Sequence, residues 1–333
     1  MGMARVVVTG ASGFIGSHIA RRLHAMGHDV LATGRDAGRL QPLAASGIAT
    51  RSFDLIHDDL SALLASRDMV VHAAALSSPW GSRDAFIAAN VDATQRLLDA
   101  AQQNSVQRFV HLSSPSIYFQ LRDQYDTPEA FRPPRHWINA YAETKWLAEE
   151  RVRVAAGQGL PSIVLRPRAV FGEGDRAIFP RLLTLAQRGW FPQIGHGEAM
   201  IDVTYVANVV AAVEAAMLPD APGDGRAFNI TNGEPMPVNA LLAQLFRAVD
   251  LRVRMIPLPR GLAVALGYLS ERWALARPGQ PEPRLSRYGV GVLGYSQTLD
   301  ISAARKQLGY RPMVSVAEGV ERFASWWKDH AGD

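Results

Sequence analysis

Short β-branched runs alternate with longer helical periodicities over the first half of the chain. "ARVVVTG" (4–10), "HDVLATG" (28–34), "GIATRSFDL" (47–55), "DMVVHAAA" (68–75) and "VQRFVHLSS" (106–114) each predict a strand. Between the first two lies "FIGSHIARRLHAMG" (14–27), apolar at three- and four-residue spacing, which predicts a helix. A longer helical pattern, "SRDAFIAANVDATQRLLDAAQQ", separates the fourth and fifth strands. Another begins at "NAYAETKWLAEE" (139–150), and "LPSIVLRPRAVFG" (160–172) predicts a sixth strand. Regular strand–helix alternation gives a parallel sheet covered by helices on both faces. After about residue 175 the regularity fades and Pro and Gly rise, as in "GWFPQIGHGE", "LPDAPGDG" and "ARPGQPEPR". The expected division is 1–175 for the sheet domain, with 176–333 forming a smaller, mainly substrate-binding region from which some segments return to the first core.

Composition narrows the classes. The 333 residues contain no cysteine, which removes disulfides and thiolate chemistry and suits a cytoplasmic location. The opening run enters a strand directly, with no charged-then-apolar leader. The longest apolar helical stretch, "GLAVALGYLSERWALA" (261–276), is interrupted by Glu271 and Arg272 and is too short for an integral membrane segment. A net charge of +4, with arginines scattered among acids, gives no nucleic-acid footprint. His24 and His28 straddle Gly27 with no third ligand in view, so no metal site is expected.

"VTGASGFIGSHIA" sets Gly10, Gly13 and Gly16 between the first strand and the first helix. In that context the triplet reads as a dinucleotide-binding turn, with a pyrophosphate at the positive end of the helix. The fold class is therefore α/β, a doubly wound parallel sheet of the Rossmann type. The end of the second strand carries Gly34, then Arg35, where an NAD site usually has an acid. A guanidinium suits the 2′-phosphate of NADP. NAD remains the alternative if Asp36 turns inward. Asp54 and Leu55, ending the third strand, are expected beside the adenine.

Tyr141 and Lys145 stand four apart in a segment of helix formers, on one helical face. Lys145 is one of only three lysines in an arginine-using chain. A phenol is a poor base at neutral pH, and a neighbouring cation favours its phenolate. With TGASGFIG (9–16), HAAA (72–75), Asn90 in "NVDAT", SSPSIY (113–118) and YAETK (141–145), the chain resembles the extended branch of the short-chain dehydrogenase/reductase superfamily. That resemblance implies Tyr141 as general acid/base, Lys145 as the group that lowers its pKa and grips the nicotinamide ribose, and a hydroxyl that steadies the substrate oxygen. Counting back from Tyr118 assigns the hydroxyl to Ser114 rather than Ser113. It further implies cofactor contacts from Gly10, Ser12, Gly13, Phe14, Ile15, Gly16, Arg35, Asp54, Leu55, Ala73, Ala74, Ala75, Asn90, Tyr141, Lys145 and Pro167. A homodimer is implied as well, built on the helices of Asn90 and Tyr141 with Leu97, Trp146 and Ala148 outward, positions that core packing explains equally well.

Within that branch, sugar-nucleotide enzymes carry an asparagine and an arginine for the substrate diphosphate. Those positions are Ala169 and Ile201 here. "LRPRAVFGEGD" (165–175), "DVTYVANVV" (202–210) and "FNITNGEPMP" (228–237) resemble the 3β-hydroxysteroid dehydrogenase family, and "SPWGSRDAFIAANV" and "PRLLTLAQRG" most resemble its bacterial 2-alkyl-3-oxoalkanoate reductases. The expected activity is an NADP-dependent interconversion of 3-oxo and 3-hydroxy groups on a hydrophobic small molecule, a β-keto acid or steroid-like compound. The alternatives are a sugar-nucleotide epimerase or dehydratase, or a non-catalytic NADP-binding protein. Trp80, Ser114, Phe119, Phe171 and Phe191 are expected at the substrate, with Pro79 and Trp190 near the mouth. Arg168 is a further candidate there, although a strand-end arginine is expected to pair within the protein. The usual glycine after Tyr118 is Phe119 here, which predicts a reshaped loop.

Overall fold

The computed structural model describes residues 3–131 and 133–330. Its centre is a seven-stranded parallel sheet. Five strands come first in the chain: β1 (Arg5–Thr9), β2 (Asp29–Gly34), β3 (Ala49–Ser52), β4 (Met69–His72) and β5 (Arg108–Leu112). Ser162–Pro167 and Asp224–Ile230 complete it. The order across the sheet is Asp224–Ile230, Ser162–Pro167, β5, β4, β1, β2, β3. Residues Val6–Val8 of β1 and Val70–Val71 of β4 are buried on both faces, which is why these strands read as continuous apolar runs. The chain proceeds one way from β1 to β3 and the other way from β4 onward. A crevice therefore opens beyond the carboxyl ends of β1 and β4.

Helix α1 (Phe14–Ala25) buries Gly16, Ile19, Ala20 and Leu23, an i, i+3, i+4, i+7 stripe laid against the sheet. The long helix before β5 is not uniform. It runs as α-helix over Arg83–Phe86, widens to π-helix over Ile87–Asp92 and returns to α-helix over Ala93–Gln103. Asn90 sits inside the widened turn. Such bulges are often found at functional sites, and periodicity alone does not register one.

Beyond residue 175 the chain re-enters the first core. Helix Val206–Ala216 packs against α1, and Asp224–Ile230 pairs with Ser162–Pro167 with Phe228 opposite Leu165. "DGRAFNI" alternates poorly because its two ends differ in burial, so the seventh strand carries no strand signature. The smaller lobe holds a four-stranded sheet in the order Met236–Pro237, Met200–Ile201, Gln297–Leu299, Gln124–Thr127. It also holds the parallel pair Trp190–Ile194 and Arg254–Leu258. Its apolar core includes Phe171, Phe179, Phe191, Tyr205, Phe246 and Phe323. Among the described residues no helix is long and apolar enough to cross a membrane.

Candidate active site

The glycine turn is built for close approach. Gly10 has φ +70°, and a Cβ there would meet the Ala74 nitrogen at 2.6 Å, so both backbone conformation and space exclude a side chain. Gly16 packs equally closely, against the Gly10 carbonyl. Ala73 and Ala74 thus lie directly across from the turn, and the Ala74 N–H donates to Thr9 Oγ1 at 3.3 Å. Helix α1 has Gly13 as its N-cap, with no side-chain cap and no acid in its first turn. Its free N–H groups and dipole suit a pyrophosphate, and the residues present fit a dinucleotide.

At the far end of that crevice Arg35 is exposed beyond β2. Asp36 is committed elsewhere: it caps helix Ala37–Ala44 by accepting from the Arg39 N–H at 3.1 Å, and its carboxylate pairs with the Arg39 guanidinium at 3.3 Å. Asp54 accepts from the Ile56 N–H at 2.8 Å, and Leu55 is buried beneath it. Asn90 is also fully engaged. Its Oδ1 accepts from the Leu76 N–H at 2.7 Å, and its Nδ2 donates to the Leu76 carbonyl and to Thr144 Oγ1. It therefore ties the loop after β4 to the helix of Tyr141.

That helix, Ala140–Gly157, is capped by Asn139, whose side chain accepts from the Ala142 N–H at 2.9 Å. Tyr141, Lys145 and Glu149 follow at i, i+4 and i+8 on one face. Ser114 lies just past β5 and caps the turn Pro115–Tyr118, accepting from the Ser116 N–H at 3.2 Å. Burial pushes the Tyr141 phenol above its ordinary pKa. Hydrogen bonding to Ser114, and more weakly to Ser77, opposes the rise, while Tyr288 nearby adds to it. The expected lowering by Lys145 is absent from this balance. The ammonium instead donates to the Leu112 carbonyl at 2.6 Å and is 2% exposed, and burial pulls its pKa down to about 8 against the attraction of Glu149. A raised phenol stays protonated at neutral pH, which suits proton donation.

Behind the lysine is a buried ion pair. Arg166, from the strand Ser162–Pro167, donates through Nε to Glu149 at 2.9 Å and through Nη2 at 2.5 Å. Ser113 also donates to Glu149, so it is turned away from Tyr141 while Ser114 is beside it. Arg166 further contacts the Tyr118 hydroxyl and the Glu129 carbonyl. His72 bridges Thr9 and Thr94, and desolvation, helped by Lys145, takes its pKa down to about 3. Its neighbour His111 is likewise held neutral by burial. The lysine is thus flanked by neutral rings on the sheet side and by a compensated pair along its helix.

Arg168 lies just past Pro167, with its N–H on the Ile230 carbonyl at 3.0 Å. Its side chain is 4% exposed, and among the described residues it makes no ion pair at salt-bridge distance, contrary to the internal pairing expected. Among the described residues Nε has no partner, and desolvation lowers the guanidinium's pKa against the attraction of the Tyr288 phenol oxygen and the Asp202 carboxylate. Asp202 spends Oδ2 on the Leu299 N–H at 2.8 Å and leaves Oδ1 unpartnered. Tyr288 links this arginine to Tyr141, since it is influenced by one and influences the other.

Phe119 is buried and packs edge-on to Tyr288 with ring centroids 5.1 Å apart. Its ring occupies the space that Gly291 leaves open. The reshaped loop therefore supports the helix Arg287–Gly294 that carries Tyr288. Trp80 donates its indole N–H to the Gln280 carbonyl at 2.8 Å, closing the same side. Phe171 and Phe191 are not brought to this cluster. Phe171 stacks on Phe179 at 4.6 Å and Phe191 packs with Phe246 at 5.7 Å, both inside the smaller lobe's core. Leu97 and Ala148, expected on an outer face, are also fully buried within the protomer, and only Trp146 is partly open. Ser77, Tyr288, Glu149 and Arg166 escape sequence reasoning. Glu149 alone had a signal, its helical spacing from Lys145.

A dinucleotide cradle at the switch point and a tyrosine–lysine–serine cluster beside it define a nucleotide-dependent dehydrogenase/reductase of the extended short-chain type. The chain belongs to the NAD dependent epimerase/dehydratase family, whose model matches residues 6–231. It is 33% identical to a 2-alkyl-3-oxoalkanoate reductase of Stenotrophomonas maltophilia, covering 96% of this chain and 98% of that one. It is 29% identical to a mouse sterol-4-alpha-carboxylate 3-dehydrogenase, decarboxylating, covering 96% and 89%. A solved UDP-glucuronic acid 4-epimerase from Bacillus cereus in complex with NAD superimposes with a TM-score of 0.79 at 24% identity, covering 98% of each chain, and shares the fold.

Proposed function

We propose that this chain is an NADP-dependent reductase of hydrophobic 3-oxo acids, interconverting them with the 3-hydroxy acids. The observation that carries the reading is a buried Arg168 whose Nε has no partner among the described residues and which Tyr288 links to Tyr141 beside Ser114. A bound nicotinamide dinucleotide supplies the hydride. Tyr141 holds a proton that its raised pKa retains at neutral pH, and delivers it to the carbonyl oxygen as charge develops there. Ser114 donates to that oxygen. Lys145 supplies a cation for the nicotinamide ribose. Arg168 takes the substrate carboxylate through its planar fork, and Phe119, Tyr288 and Trp80 exclude water around the chain. Two curated relatives whose names specify an oxoalkanoate and a sterol carboxylate support the presence of an acid group.

The test is NADPH oxidation against a panel of 3-oxo acids of increasing length, 3-ketosteroids and sugar nucleotides. Burying one methylene is worth about 0.8 kcal/mol, so kcat/KM for the acids rises by up to about fourfold per carbon until the pocket is full. Turnover of a sugar nucleotide with no response to any 3-oxo compound defeats the reading.

NADP is favoured because Asp36 is already used as a helix cap and an arginine partner. Arg35→Asp replaces a phosphate partner by a repeller, and loss of one charge-assisted contact is worth about 1.5–3 kcal/mol. The variant is expected to lose about tenfold or more in NADPH affinity and to bind NADH relatively better. Equal wild-type affinities for NADH and NADPH at low salt contradict this assignment.

A further inference from the structure

Helix Arg260–Leu275 has its polarity inverted. Its inner face is Ala263, Gly267, Glu271 and Ala274. A Cβ on Gly267 would meet the Arg287 backbone at 3.1 Å, and Glu271 accepts from the Arg287 N–H and Nε, each at 2.7 Å. The small residues and the acid therefore seat this helix on Arg287–Gly294. Its outer face carries Leu262, Leu266, Leu269 and Trp273, exposed by 51%, 42%, 61% and 57%. At spacings of four, three and four they form one stripe along the helix. Contiguous exposed apolar residues in such a row mark an interaction surface rather than ordinary scatter.

The charge beside the stripe has one sign. Arg272 flanks it on the helix, and Arg277, in the turn after the helix, lays its guanidinium over the Trp273 ring, 3.3 Å from its centroid. The helix's single acid, Glu271, is turned inward and paired with Arg287. Apolar anchors rimmed by arginine match a bilayer interface with anionic headgroups.

We propose that helix Arg260–Leu275 docks this protein on the surface of an anionic lipid bilayer, lying in the interface with Leu262, Leu266, Leu269 and Trp273 inserted. The docked helix rests directly on the one that carries Tyr288, and the turn after it holds Trp80 through Gln280. On the function proposed above, the bilayer would thus lie beside Tyr288 and Trp80, two of the residues placed around an apolar substrate. Docking itself stands on the stripe and its charge, whichever substrate is turned over.

The experiment is flotation of the purified full chain with vesicles of phosphatidylcholine alone, or with about one-third phosphatidylglycerol. The wild type is expected to float with the phosphatidylglycerol vesicles, less so as salt is raised, and weakly with phosphatidylcholine. Leu266→Ser combined with Leu269→Ser and Trp273→Ser alters only exposed positions. Its binding is expected to fall by at least tenfold, while its melting temperature and NADPH affinity match the wild type. Arg272→Gln with Arg277→Gln should remove the preference for phosphatidylglycerol. A wild type that stays unbound, or a triple serine variant that floats as well as the wild type, overturns the proposal. So does a wild-type dimer in lipid-free solution that the triple serine variant converts to monomer, since the stripe is then a subunit interface.

Discussion

Tyr141→Phe is expected to lower turnover by about 10²–10⁴-fold, the usual contribution of a positioned acid or base, while leaving NADPH affinity and melting temperature near wild type. The substitution removes one oxygen that contacts Ser114 and Ser77 and leaves a ring whose helix is fixed independently by the Asn139 cap and by Glu149 on Arg166. Because burial raises the phenol, reduction draws on a proton that is present throughout the neutral range. The pH limit comes instead from Lys145. Its pKa is depressed to about 8, so it is charged below that value and loses its proton as pH rises through it. Wild-type kcat/KM for reduction should therefore fall above about pH 8. Wild-type turnover in Tyr141→Phe, measured by NADPH oxidation, rules out the proposed proton transfer.

Arg168→Leu separates the acid group from the rest of the substrate. A charge-assisted hydrogen bond is worth about 1.5–3 kcal/mol, so kcat/KM for a 3-oxo acid should drop by about 10- to 10²-fold. The methyl ester of the same acid, which offers no anion, should be nearly unaffected. An equal loss with acid and ester makes Arg168 a structural residue instead.

Much of the first half was legible from local pattern. Gly10 and Gly16 are dictated by backbone approach within one strand–turn–helix unit, and Tyr141 with Lys145 by one helical repeat, so neighbours in the chain carry the whole signal. The choice of Ser114 over Ser113 rests instead on the family resemblance, counted back from Tyr118. Long-range packing is different. Nothing near position 288 says that its phenol will reach Tyr141 and Arg168, because that depends on Phe119 filling the gap above Gly291, 172 positions along the chain. The same holds for Phe171 and Phe191, whose aromatic character suits a pocket and a core alike until their partners Phe179 and Phe246 are known.

The amino-acid sequence by itself determined the parallel sheet, the dinucleotide turn and the placing of phenol and ammonium on one helical face, since each is specified by φ preferences and spacings of a few residues. Only the tertiary structure decided three further matters. It returned Asp224–Ile230 to the sheet edge, left Arg168 Nε without a partner among the described residues, and turned the apolar row of helix Arg260–Leu275 outward. The physical reason is common to all three. Burial and pairing are properties of what arrives from distant parts of the chain, and an arginine or a leucine carries no local mark of whether a partner will come.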